Sequence, residues 1–181
     1  LPFNAPGLWA PGSHVTMDND EVLRLLALIA QGDEPAFKAL YRAFSRRLYA
    51  YVSKQIGDAA QAEEIVADTL YEVWRAPARF RGEALFSTWL IGVARNKVLM
   101  AWRGRKPDER HEDIEDFAEL IAGDGHDDFD TLAERQRKEG VLHCVQRLSD
   151  EHRECIHLVF YQGMALADVA QVQACPENTV K

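Results

Sequence analysis

The sequence lacks the features of a membrane protein and of a secreted protein held by disulfides. No run of about 18 apolar residues occurs, so no transmembrane helix is predicted. The opening residues have neither the basic region nor the long apolar stretch of a signal peptide. Cysteine occurs only at Cys144, Cys155 and Cys175, and this odd number argues against a disulfide framework. These absences together predict a cytoplasmic protein.

Signatures of catalysis and of metal binding are also missing. The sequence has no glycine-rich phosphate loop, no GxSxG and no HExxH. His143, Cys144, Cys155 and His157 lack the CxxC or HxxxH spacing of zinc sites, which favours buried thiols and incidental histidines. We therefore predict no enzymatic activity, no metal site and no required cofactor. The alternative, a metal-dependent enzyme built on these four residues, is testable by metal analysis.

Strand alternation is nearly absent, and helical periodicity dominates. An apolar stripe from Phe37 to Ile56 recurs every three or four residues and predicts one long helix. A shorter helix is predicted before it, over Val22–Ile29. Asp58 is expected to cap a third helix that ends at Ala76-Pro77, and a fourth is expected to reach about Trp102. The predicted fold class is all-α, with two small helical domains joined by a flexible acidic linker.

A shift in composition divides the chain. Residues 107–130 contain eleven acidic residues against one base, which predicts an acidic linker between domains at 18–106 and 131–181. Residues 1–17, rich in proline and glycine, are expected to be a disordered leader or a cloning remnant. In the second domain, Ser149 is expected to cap a helix. Two short helices are predicted on either side of a turn at 174–176, and this pattern predicts a helix-turn-helix.

Positive charge is concentrated in one stretch, although the whole chain has a formal net charge of −8. Between Arg75 and Lys106 there are eight bases and only one acid, Glu83. Such a patch is typical of phosphate binding, and the interleaved aromatic residues favour a single or unwound DNA strand. A solvated helix end and an aromatic core stripe would explain the same pattern, and Phe86 and Leu90 are expected in the core. The preceding helix has an acidic face. Composition alone does not decide whether this face is only solvated or docks a basic protein surface.

Two longer stretches carry a more specific pattern. They are GDAAQAEEIVADTLYEVWRAPARFRGEALFSTWLIGVARNKVLMAWRGRK and RLSDEHRECIHLVFYQGMALADVAQVQACPENTVK. The first resembles region two, and the second region four, of bacterial sigma factors of the extracytoplasmic-function group. The resemblance covers about residues 20–105 and 147–181. A lone helix-turn-helix is weak evidence, whereas the FRGE, TWL and ARN motifs, and the order of the two regions around a divergent linker, are specific.

The resemblance implies a role for three surfaces. The acidic helix would bind the clamp helices of the RNA polymerase β′ subunit through Glu63, Glu64, Ile65, Asp68 and Leu70. The basic loop and helix would melt and bind the minus-ten promoter element, with a flipped base beside the loop, through Arg79, Phe80, Arg81, Trp89, Arg95, Asn96, Lys97, Trp102 and Arg103. The last helix would bind the minus-thirty-five element through Pro176, Glu177, Asn178, Thr179 and Lys181.

The implied function is that of a transcription initiation factor of the stress-response type. Its implied partners are core RNA polymerase (the β′ clamp helices and the β flap), promoter DNA, and an inhibitory anti-sigma factor that can itself be membrane-bound. The chain departs from the family at the turn, where Ala174-Cys175 replaces glycine and an aliphatic residue. It also stops at Lys181, inside the expected recognition helix, so weak binding to duplex DNA is expected. The alternative is a stand-alone helix-turn-helix regulator, but no heptad repeat suggests its dimer surface.

Overall fold

The computed structural model describes residues 17–104, 140, 143–145 and 147–180, and within these ranges it contains helices and no strand. The all-α prediction is therefore confirmed. The helices are α1 (Asn19–Ile29), α2 (Glu34–Ile56), α3 (Ala59–Arg75), α4 (Phe86–Gly104), α5 (Asp150–Ile156), α6 (Leu166–Gln173) and α7 (Glu177–Val180). A short 3-10 turn, Pro77–Arg79, lies between α3 and α4, and a π-helical turn, His157–Tyr161, extends α5.

Aspartate and serine side chains cap the N-termini of most of these helices. Asp33 and Asp58 accept hydrogen bonds from the first backbone N–H groups of α2 and α3, and Ser149 does so for α5. These bonds satisfy donors that have no partner within the helix. The caps expected at Asp58 and Ser149 are confirmed. Helix α1 begins at Asn19, three residues before the predicted start, because Asp18 caps it.

Helix α2 lies at the centre of the first four helices and packs against α1, α3 and α4. Its predicted apolar stripe is confirmed: six of its members are buried, and Phe37 and Tyr41 pack partly buried against them. The buried members are Leu40, Phe44, Leu48, Tyr51, Val52 and Ile56. Removing this area from water is the main favourable contribution to folding, so α2 is the scaffold on which the other helices are positioned.

The C-terminal helices do not stand apart from the first four. Helix α6 packs on α4, and Leu158, Met164, Val169 and Val172 belong to the same buried cluster as the core around α2. Phe160, by contrast, is exposed. The acidic linker and the helix expected around Leu132 lie outside the described residues. Among the helices that the structure describes, none is both long and apolar enough to cross a membrane.

Candidate nucleic-acid and polymerase interface

The loop between α3 and α4 presents two exposed arginines. Arg79 ends the 3-10 turn, and Arg81 follows Phe80, whose side chain is only 5% exposed. Gly82 then adopts a φ of 76°, a backbone conformation that glycine reaches at little cost. The buried Phe80 and the turn at Gly82 fix this loop to the core while Arg79 and Arg81 point outward.

Four aromatic rings anchor the loop and the start of α4. Phe86 lies edge-on to Phe44 and to Phe80, with ring centroids 4.8 and 5.1 Å apart, and Trp89 lies 5.6 Å from both Phe80 and Phe86. The core position expected for Phe86 is confirmed. The implied stacking of Phe80 on a base would require its ring to leave this cluster. Trp89 is half-buried, so part of its ring faces solvent.

Glu72 on α3 connects the acidic helix to the basic surface. Its carboxylate pairs with Arg79 of the loop and lies 3.6 Å from Lys97 Nζ on α4. Both cations were expected to contact DNA. The shared carboxylate links the loop to α4 and partly neutralises the basic surface beside α3.

Arg95 of the basic helix makes a buried ion pair. Its Nε lies 3.0 Å from both carboxylate oxygens of Glu154 on α5, with side chains only 15% and 7% exposed. Tyr51 donates to the same carboxylate at 2.6 Å, and Gln173 donates to it at 3.0 Å. Burial and the adjacent carboxylate raise the pKa of Tyr51 well above its ordinary value, so its hydroxyl remains a donor. In this arrangement the guanidinium of Arg95 binds protein instead of DNA.

The remaining basic-helix residues fall into two groups. Asn96 and Arg103 are exposed on α4. Trp102 is half-buried, and its ring N–H donates to the Gln55 carbonyl at 3.0 Å, joining the ends of α4 and α2. Asn96 can therefore meet a base edge without rearrangement, whereas Trp102 has a structural role in this state.

The expected polymerase-binding residues on α3 also divide by burial. Glu63, Glu64 and Asp68 are exposed, whereas Ile65 and Leu70 are buried in the core of this protein. Buried side chains cannot contact a partner directly, so any docking there has to use the carboxylates and their exposed neighbours. Tyr71, which the sequence analysis did not single out, is 60% exposed on the same helix. Tyrosine is enriched at protein interfaces, so Tyr71 belongs with the acidic face as a candidate contact.

Helices α6 and α7 form the expected helix-turn-helix. Ala174 ends α6 in the left-handed conformation with a φ of 53°, where the resembled family often has glycine. Pro176, Glu177, Asn178 and Thr179 are all exposed, and Lys181 lies outside the described residues.

The suspected metal ligands do not assemble within the described part of the chain, where no group of three or more histidine, cysteine and acidic side chains could hold a metal ion. Cys144 is exposed, and His157 is 3% exposed between the rings of Tyr51 and Tyr161. Desolvation, with a smaller contribution from Lys54, lowers the pKa of His157 to about 4. His157 is therefore a neutral core residue at neutral pH.

Comparison with known proteins was made by family model, sequence and fold. A family model described as sigma-70 region 2 matches residues 40–107. The SigK extracytoplasmic-function sigma factor of Mycolicibacterium vanbaalenii is 30% identical over 92% of this chain and 84% of its own length. The RNA polymerase sigma-H factor of Pseudomonas aeruginosa is 28% identical over 92% of this chain and 89% of its own length.

Two solved structures share the fold. CnrH, determined with the cytosolic domain of CnrY, superposes with a TM-score of 0.60 at 22% identity over 89% of this chain and 88% of its own. RpoE from Bartonella quintana, determined with the anti-sigma factor NepR, gives 0.55 at 22% identity over 80% of this chain and 86% of its own. At this identity the likeness concerns the arrangement of helices alone.

Proposed function

The chain belongs to the extracytoplasmic-function group of RNA polymerase sigma factors, and we propose that it initiates transcription by directing core polymerase to a specific set of promoters. It acts as a binding protein and needs no catalytic site or cofactor. We infer that it works in the cytoplasm, with residues 18–106 as region two, 107–130 as linker and 131–181 as region four. Membership of the family favours this function over a stand-alone regulator.

The single observation that supports this proposal most is the placement of an acidic surface on α3 and a basic surface on the loop that follows it. The carboxylates of Glu63, Glu64 and Asp68 are exposed on α3, and the cations of Arg79 and Arg81 are exposed on the loop that follows. An acidic surface suits a basic protein partner, and a basic surface suits DNA. We propose that α3 binds the polymerase clamp while the loop and α4 bind the melted minus-ten strand.

Asn96 is proposed to contribute to reading the minus-ten element. It is exposed on α4, one residue after Arg95, and its amide offers both a donor and an acceptor to a base edge. A flipped base is read by such hydrogen bonds. Trp89, half-buried beside the loop, is placed to give that base a partial stacking surface.

We infer that an anti-sigma factor controls this chain as well. NepR is named as the anti-sigma factor bound to one protein of the same fold. The exposed apolar side chains of Met100 and Phe160 are candidates for covering by such a partner, since exposed apolar groups often mark contact sites.

Start-site mapping tests the proposal. Core polymerase is supplied with this chain and with fragmented genomic DNA, and the 5′ ends of transcripts are compared with those made by core alone. The proposal predicts new starts that share an upstream motif. It also predicts that Asn96→Ala weakens open-complex formation at these starts while its affinity for core polymerase stays unchanged. Equal loss of both would refute the proposed role of Asn96, and an absence of new starts would refute the function.

A further inference from the structure

Glu72 lies where the last turn of α3 meets the basic loop and α4. One oxygen of its carboxylate pairs with Arg79 of the loop, and the other lies 3.6 Å from Lys97 Nζ on α4. Its backbone carbonyl accepts the N–H of Ala76 at 2.9 Å, where α3 ends. A single acidic residue therefore pairs with two cations that come from different elements of the basic surface.

Both cations remain accessible to a DNA strand while they are paired. The side chain of Arg79 is 58% exposed and that of Lys97 is 27% exposed, whereas that of Glu72 is 20% exposed. A guanidinium group has five N–H donors and an ammonium group has three, which is more than one shared carboxylate occupies. Each cation can therefore bind a phosphate oxygen without leaving Glu72.

The carboxylate of Glu72 offsets half of the charge of this pair of cations. The two cations and the carboxylate have a formal net charge of +1, and without the carboxylate it is +2. Each phosphate contact to single-stranded DNA steepens the dependence of log affinity on log salt by about 0.7. Over one decade of salt concentration, one additional contact therefore corresponds to about fivefold in affinity.

The placement of the two cations favours one register of a bound strand over the others. Lys97 directly follows Asn96 on α4, and Arg79 directly precedes Phe80, whose ring lies 5.6 Å from that of Trp89. Phosphate contacts set the register of a strand, and base contacts read its sequence. Cations that are already oriented lose less conformational freedom on binding, but this helps only a strand whose bases then meet Asn96 and Trp89.

We propose that Glu72 is a positioning residue that sets the selectivity of the basic surface: it orients Arg79 and Lys97 for one register of the bound strand and lowers the attraction of this surface for all other DNA. The proposal rests on the proposed function, which supplies the single strand. Without the carboxylate, both cations bind phosphates on any strand, and the strand that fits loses the benefit of their orientation. Removing the carboxylate therefore raises the affinity for random DNA and lowers the discrimination between strands.

The first measurement uses the full chain without polymerase and a labelled random-sequence single-stranded DNA of about 20 nucleotides. Fluorescence anisotropy gives the affinity at several salt concentrations from about 0.05 to 0.5 M. Glu72→Gln keeps the shape of the side chain and removes its charge. Glu34→Gln is the matched control, because it loses the same charge and also releases a lysine, Lys38 on α2, whose Nζ lies 3.6 Å from the Glu34 carboxylate.

We expect Glu72→Gln to bind the random DNA about fivefold more tightly than the wild type at about 0.1 M salt, with a log–log slope that is steeper by about 0.7. Glu34→Gln should stay within about twofold of the wild type, with an unchanged slope. A role of Glu72 in folding alone would leave the slope unchanged. Equal gains for the two variants, or unchanged or weaker binding by Glu72→Gln, would overturn the proposal.

The second measurement tests selectivity with the chain bound to core polymerase. It compares the affinity for the minus-ten strand identified by start-site mapping with the affinity for a scrambled strand of the same composition. Glu72→Gln should lower the ratio of these affinities by about fivefold, because only the scrambled strand gains. Glu34→Gln should keep the wild-type ratio.

Glu72→Asp separates orientation from charge. It keeps the carboxylate but draws it back by one methylene from Lys97 Nζ, which already lies 3.6 Å away. The affinity for random DNA should stay within about twofold of the wild type, whereas the ratio of affinities should fall. A wild-type ratio in both Glu72 variants would overturn the claim that Glu72 orients the two cations.

Failure of the proposed function and failure of the role of Glu72 give different results. If the wild-type chain produces no new starts with core polymerase, the proposed function is refuted, and the selectivity role is refuted with it. If the wild-type chain directs new starts but the Glu72 variants keep its random-DNA affinity and its ratio, only the role of Glu72 is refuted.

Discussion

Asn19 forms a long-range cap for the basic helix, and its replacement by alanine should destabilise the protein. Its side-chain oxygen accepts from the backbone N–H of Phe86, the first residue of α4, at 3.0 Å. Its side-chain N–H group donates to the Ala84 carbonyl at 2.8 Å. One residue of α1 thus fixes both the end of the basic loop and the start of α4.

The expected loss follows from these two bonds. Each hydrogen bond contributes a net of about 0.5–1.5 kcal/mol, so Asn19→Ala should lower the free energy of unfolding by about 1–3 kcal/mol. Asn19→Asp keeps the acceptor for Phe86 but places a carboxylate against the Ala84 carbonyl, and it should fall between alanine and the wild type. Urea unfolding measures the change as a shifted midpoint at constant slope.

Asn96→Ala is the matched control because it makes the same chemical change at an exposed position of α4. Alanine is the better helix former, so this variant should unfold at or slightly above the wild-type midpoint. A loss below about 0.5 kcal/mol for Asn19→Ala, within the range of ordinary surface substitutions, would refute the capping argument.

Three further predictions concern the acidic face of α3, the core histidine and the turn at Ala174. Asp68→Lys should weaken binding to core polymerase by about 1–3 kcal/mol in a fluorescence titration, whereas Asp20→Lys on α1 should not. Equal affinities of the two variants for core polymerase would mean that the acidic face is only solvated. The pKa of His157 is about 4 in the folded protein, against an ordinary value of 6.5. The unfolded chain therefore binds the proton at a higher pH than the folded protein does. Up to about 3 kcal/mol of stability is lost as the pH falls from 6.5 to 4. Unfolding curves of His157→Phe should lack this component, and an unchanged pH dependence would contradict it. Ala174→Gly should stabilise the fold by about 0.5–1 kcal/mol on thermal or urea unfolding, because the left-handed conformation disfavours alanine; a loss would show that the methyl group packs favourably.

Local patterns in the sequence were sufficient to predict most of the helices. The stripe of α2 from Phe37 to Ile56 repeats at the helical period, and Asp58 and Ser149 stand where caps belong. Each of these signals lies within a few residues of the feature that it predicts. The turn at Ala174 was equally local, since Pro176 follows it closely.

Contacts between distant residues were not predictable in the same way. Asn19 bonds to residues 65 and 67 positions away, and Glu154 bonds to Tyr51 at a separation of 103. A glutamate in a helix is usually exposed, so nothing in the sequence near Glu154 indicates its burial. Phe80 likewise sits in a basic loop whose composition favoured DNA contact, and only its distance to Phe86 reveals a core role.

Binding to core RNA polymerase tests the central claim most directly. The purified chain is mixed with bacterial core polymerase, run on a sizing column and challenged with a housekeeping sigma factor. The account predicts that the chain co-elutes with core and that the competitor displaces it. Failure of the folded chain to co-elute, with no anti-sigma factor present in the sample, would contradict its assignment as an initiation factor.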